Sequence, residues 1–217
     1  MKNVLFLIAN GIAGFQDLAV GFATVALFSY ILGVDASFTT LCVGAILGVL
    51  PDLFDVVPQI IVGRPPLKGE DHHLTFFHRP LYMVTLVAFL GFLFDFAFGQ
   101  YFWVIVAPLL VTYHYIHDTW SGIAWLYPFK LEYPIPGRGW VLPENCGSTP
   151  GHRIWINKYW YYGSSLARRE VCIGSIALAL GAYLEYGLFL CALAFFLPWL
   201  FVYIYWRYTM RLKLRTT

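Results

Sequence analysis

Five of the six histidines in this 217-residue chain lie between positions 72 and 117: His72, His73, His78, His114 and His117. Acids accompany them at Asp52, Asp55, Asp71 and Asp118. Imidazole and carboxylate together suit Zn²⁺, Mn²⁺ or Fe²⁺, whereas oxygen-only sets suit Mg²⁺ or Ca²⁺. A metal with open positions polarises a substrate oxygen and lowers the pKa of a bound water. Helical spacing supports the grouping. Asp52 and Asp55 are i,i+3, His114 and Asp118 are i,i+4, and His117 is i,i+3 from His114, so each set shares a helix face. The expected ligands are Asp52, His73, His78, His114 and Asp118, holding one or two divalent transition ions, with zinc or manganese the best match. Asp55 or His117 would serve as a further ligand or as general base. Bland alternatives stand beside these readings. Asp52 and Asp55 could simply end a spanning helix at Pro51, His117 could face lipid headgroups, and His72 reads as a solvated loop residue.

The elements that must position these residues are written in the composition. Hydrophobic residues make up 59% and charged residues 12%, against about 45–50% and about 25% in an ordinary soluble domain. This excludes a soluble domain, a disordered chain and a nucleic-acid binder, and fits an integral membrane protein. Charge-free runs cover 18–34, 36–51, 80–94, 96–117, 171–184 and 186–206. A spanning helix needs about 20 apolar residues, so the charged flanks of the shorter runs sit at the interface. The reading is an all-α polytopic bundle, one integral membrane domain over 1–217. Its six helices are expected near 17–34, 37–55, 80–97, 100–119, 170–186 and 187–208. Residues 1–16 read as a short non-spanning hydrophobic segment, with a seventh span as the alternative. Long polar connections fall at 56–79 and 120–169.

Six crossings put Lys2, both long connections and the C-terminal tail on one side. All fourteen Lys and Arg residues then lie on that side, and the positive-inside rule makes it cytoplasmic, termini included. Cys146 would be kept reduced there. The four cysteines form no CxxC and no paired spacing, so a disulfide framework or thiolate metal site is not expected. The acid and histidine cluster reaches the same cytoplasmic face. Connection 120–169 ends in an aromatic and basic stretch with Trp140, Trp155, Trp160, Arg153 and Lys158. It suits contact with membrane lipids, or with a protein partner through its aromatic surface. Arg79, beside His78, is suited to bind a phosphate in bidentate fashion, though it could equally anchor the topology.

Several of these segments resemble a known family. Pro51-Asp52-Leu53-Phe54-Asp55 is similar to the LPDxD segment of the membrane-bound metal-dependent hydrolases, the LexA-regulated inner-membrane type. His73 and His78 keep that family's H-x4-H spacing. His114 and Asp118 match its H-x3-D helix, followed by Gly122 and Leu126-Tyr127-Pro128-Phe129. The resemblance covers roughly residues 17–130. It implies a bacterial inner-membrane protein and a zinc-type hydrolase similar to phospholipase C-like enzymes, hence a phosphoester substrate, most naturally a lipid. Leu74 and the triplet Phe77-His78-Arg79 depart from the family's Arg and Thr-His-Ser. Asp17 stands where the family places a His and would replace it as a ligand. An acid in the first turn of a helix also complements the helix dipole.

Two other functions compete with the hydrolase. One is a non-catalytic membrane subunit that keeps the metal as a structural staple. The other is a metal carrier, which would need ionisable groups across the bilayer midplane, where the runs are apolar. Peptide hydrolysis would want an HExxH helix and acyl transfer a G-x-S-x-G elbow; the chain contains neither.

Overall fold

The computed structural model describes residues 14–54, 76–99, 101–118 and 165–216. Every regular element among them is helical: α1 (Phe15–Leu32), α2 (Phe38–Gly48), a 3-10 turn (Phe76–His78), α3 (Pro80–Phe98), α4 (Trp103–Asp118), α5 (Ser165–Tyr186) and α6 (Leu188–Thr216). A further helical stretch covers 50–54. Packing divides the chain into two units, Met1–Ala45 with Pro150–Thr217, and Ile46–Thr149.

Helix ends follow local chemistry. Gly33 takes a left-handed conformation (φ 65°) that a side chain would strain. Its N–H donates to the Tyr30 carbonyl and the Val34 N–H to the Ser29 carbonyl, a Schellman closure. Ser37 then caps α2, its hydroxyl accepting the Thr40 N–H at 3.1 Å. Pro80 begins α3 at a position where a missing N–H costs nothing.

The second helix differs from the expected 37–55. It stops at Gly48, and the chain resumes helical geometry at 50–54. Pro51 is the cause: its ring clashes with the carbonyl four residues back and it donates no hydrogen bond. Val49 instead closes a tighter turn onto Ile46, and Leu53 bonds back to Val49. The other ends shift from expectation where an apolar run and a helix are not the same thing. α5 begins at Ser165 and α6 continues to Thr216, because the backbone stays helical after the sequence turns basic.

In the first unit, α1 and α5 lie side by side and run in the same direction. A Cβ on Gly174 would fall 2.6 Å from the Phe15 ring, and one on Gly181 would fall 2.6 Å from the Phe22 ring. The two contacts advance together by one heptad along each helix. Small residues thus let the helices approach closely, as membrane helices do. Meanwhile α2 returns along α1, with Gly21 against Gly44 and Ala45.

In the second unit, α3 and α4 pair around Met83, Val87, Ala107, Val111 and Tyr115, joined by Leu47, Leu50 and Phe77. Asp95 is buried and accepts the Val104 N–H at 2.8 Å. It caps the start of α4 from across the turn. The outer face of α3 exposes Leu86, Phe89, Leu93 and Phe96. Among the described residues, α1 and α3 are long and apolar enough to cross a membrane, while α2, Trp103–His117 and Leu188–Ile204 are shorter apolar stretches.

Candidate metal centre

Three segments of the second unit each supply one ligand-type side chain. The helical stretch 50–54 carries Asp52, the 3-10 turn ends on His78, and the last turns of α4 carry His114. Both imidazoles are fully buried, whereas the Asp52 side chain keeps 27% of its surface exposed. Asp52 Oδ1 lies 3.3 Å from His78 Nε2 and 3.8 Å from His114 Nε2. The two Nε2 atoms are 3.5 Å apart.

This near-equilateral triangle is informative about its contents. Three atoms at these spacings lie on a circle of radius about 2.0 Å, and zinc bonds nitrogen and oxygen at about 2.0–2.2 Å. A tetrahedron with bonds of that length has edges of about 3.4 Å, while octahedral edges would be near 3.0 Å. With both Nε2 atoms unprotonated, their lone pairs and a carboxylate oxygen converge, an arrangement that a cation at the centre satisfies. A proton shared with His78 would supply one. A buried ion pair, however, recovers little more than its desolvation cost, and a proton satisfies one edge of the triangle, not three. Two imidazoles with a carboxylate suit zinc or a neighbouring divalent ion. The donor set therefore fits the expected group.

The other sequence candidates fall in different places. Arg79 caps α3 with its backbone, its carbonyl accepting the Tyr82 and Met83 N–H groups. His117 lies one turn beyond His114, and its ring stacks on Tyr113 at 6.4 Å and 16°; it is not one of the three converging groups. Asp17 is buried in the first turn of α1, in the first unit. Asp118 is the last residue of α4, with its backbone alone described. Asp55, His73 and the connections 56–75 and 120–164 lie outside the described residues.

Sequence reasoning missed two residues that shape the site. Tyr115, fully buried, donates its hydroxyl to the Phe77 carbonyl and meets both histidine rings edge-on. Phe77 in turn stacks on Phe54 at 4.8 Å. A tyrosine between two histidines of an apolar helix was the available signal, but its partner is 38 positions away.

A family model described as YdjM inner membrane protein matches residues 12–210. The chain belongs to that family, and is accordingly a protein of the bacterial inner membrane. The membrane part of the sequence resemblance is thereby supported; the family's description names no activity. Neither the curated proteins nor the solved structures contain a match.

Proposed function

We propose that this member of the YdjM inner membrane protein family is a metal-dependent hydrolase acting on a phosphoester, most naturally that of a lipid, at the cytoplasmic membrane face. The observation that carries the reading is the Asp52–His78–His114 triangle, whose spacing and donor set match a divalent transition ion. Such an ion, when bound, supplies Lewis acidity to a phosphoryl oxygen and acidifies water. His78 and His114 would hold it from the buried side and exclude water there. Asp52 is partly exposed, although its Oδ1 in the triangle is buried, and a substrate would approach from its side. Arg79, next to His78 on the chain, would bind the phosphate as a planar bidentate donor. His117, or Asp55, would accept a proton at the site's edge. His73 and Asp118 are the remaining proposed ligands of this centre; Asp17, expected as a ligand, belongs to the first unit.

The proposed membrane arrangement is six crossings with both termini and both long connections cytoplasmic. The basic residues support it, and so does packing within each unit. Alternate crossings must be parallel, and α1 and α5 run the same way while α2 opposes α1. The ends that carry His78 and His114 are the start of α3 and the end of α4, which reach one face if the two helices cross in opposite directions.

Three protein ligands with a free position mark catalytic zinc, while four close a structural site. Metal analysis of the detergent-solubilised full chain, followed by phosphate release from mixed phospholipid micelles, separates the two. The expected result is about one metal per chain, with turnover that chelator abolishes and Arg79→Ala reduces. Tight metal without turnover on a broad phosphoester panel would favour the non-catalytic subunit. A metal-free wild type after repletion would sink both readings.

A further inference from the structure

We infer that Tyr115 is a positioning residue for the metal centre, acting through its hydroxyl on the turn that carries His78. The inference rests on the metal-site reading above. The three ligand groups come from three separate segments, and a 3-10 turn of three residues has little hydrogen bonding of its own to fix it. Its place is set by tertiary contacts, and these meet at Phe77. The Phe77 carbonyl accepts the Tyr115 hydroxyl from α4. The Phe77 ring stacks at 19° on Phe54, two residues beyond Asp52. One residue thus ties the turn bearing His78 to the helix bearing His114 and to the stretch bearing Asp52.

Tyr115 adds a second constraint. Its ring stands edge-on to His78 (6.2 Å, 75°) and to His114 (5.7 Å, 81°). Both imidazoles thus pack against the same ring. A site displaced by even about 0.5 Å loses productive geometry, and groups that orient metal ligands typically contribute 10–100-fold in affinity. The simpler alternative is a buried tyrosine that has merely found an acceptor for its hydroxyl. That role would affect folding and leave the metal alone.

Zinc affinity, measured by chelator competition on the full chain in detergent, separates the two roles. Tyr115→Phe keeps the ring and removes the hydroxyl. It should bind zinc roughly tenfold more weakly, alter the visible spectrum of the cobalt-substituted protein, and leave the metal-free melting temperature close to wild type. Val87→Ala, in the same core but seven residues into α3 and so about 10 Å along it from the turn, should lower that temperature without weakening zinc. Phe77→Leu, which loosens the stack on Phe54, should weaken zinc in the same direction and carries the test if Tyr115→Phe cannot be recovered. Wild-type affinity and an unchanged cobalt spectrum in Tyr115→Phe would overturn the inference, as would equal zinc loss in Val87→Ala. A wild type that binds no zinc would instead overturn the metal-site reading itself.

Discussion

At the scale of single residues, the three ligand groups are not interchangeable. His78 and His114 are fully buried and Asp52 is partly exposed. Removing either imidazole should therefore leave two donors and a gap lined by apolar neighbours. We expect His114→Ala to weaken metal binding by more than about 100-fold, beyond what an outer-shell change does, with the chain still membrane-inserted; metal content after gel filtration checks it. Asp52→Asn keeps the shape and loses the charge that neutralises a divalent ion. It should retain weak metal but no turnover. Asp95 provides the contrast. Its Oδ2 accepts the Val104 N–H at the start of α4, where a negative charge also complements the helix dipole. Losing such a cap costs about 1–2 kcal/mol, so Asp95→Ala should lower the melting temperature while metal content per folded chain stays constant. A loss of metal in that variant would mean that the start of α4 is coupled to the site. The acid and histidine residue types at Asp52, His78 and His114 were readable in advance. The roles of Asp95 and Tyr115 were not, because each depends on a partner brought close by folding alone.

At the scale of elements, charge-free runs located all six helices to within a few residues at most ends. The exceptions have physical reasons. Pro51 was visible in the sequence and was read as the boundary of a helix; it breaks the helix at Val49 and lets a second short stretch begin. That break puts Asp52 on a short helical stretch of its own. A further element-scale feature, invisible to hydropathy, is the parallel pairing of α1 with α5 through Gly174 and Gly181. Both glycines sit opposite phenylalanine rings with no room for a methyl group. Overpacking of a filled interface typically costs about 1–3 kcal/mol, and here backbone stands close behind the ring. Gly181→Leu should thus lower thermal stability more than Leu180→Ala on the exposed side of the same helix. Equal melting temperatures for the two variants would show that the close approach of α1 and α5 contributes nothing to stability.

At the scale of the whole molecule, the decisive quantity is where charge falls relative to the helix ends. The tight turns after α1, α3 and α5 contain no Lys or Arg, and the acids Asp35, Asp95 and Glu185 lie in or beside them. Every basic residue belongs to the other ends. Length limits what each helix can do. α2 alone has 11 residues, or about 16 Å of rise, and cannot cross a hydrocarbon layer of about 30 Å. Continued through 50–54 it comes closer, with the charged flank of Asp52 at the interface. α6 has the opposite surplus: 29 residues, whose charge-free part ends at Trp206 and whose basic tail would rise through the cytoplasmic headgroups. The resulting expectation is specific. In a chain with its four cysteines replaced by serine, a cysteine introduced at Ser37, Tyr101 or Leu188, each exposed beside a tight turn, should react with a membrane-impermeant thiol reagent added to spheroplasts. A cysteine at Thr217 should react only after the membrane is opened. Labelling of Thr217 from outside would invert the orientation and move the metal centre to the periplasmic face. Protection of Ser37 with labelling of Tyr101 would instead show that α1 and α2 do not cross as separate spans, and the six-crossing arrangement would have to be abandoned.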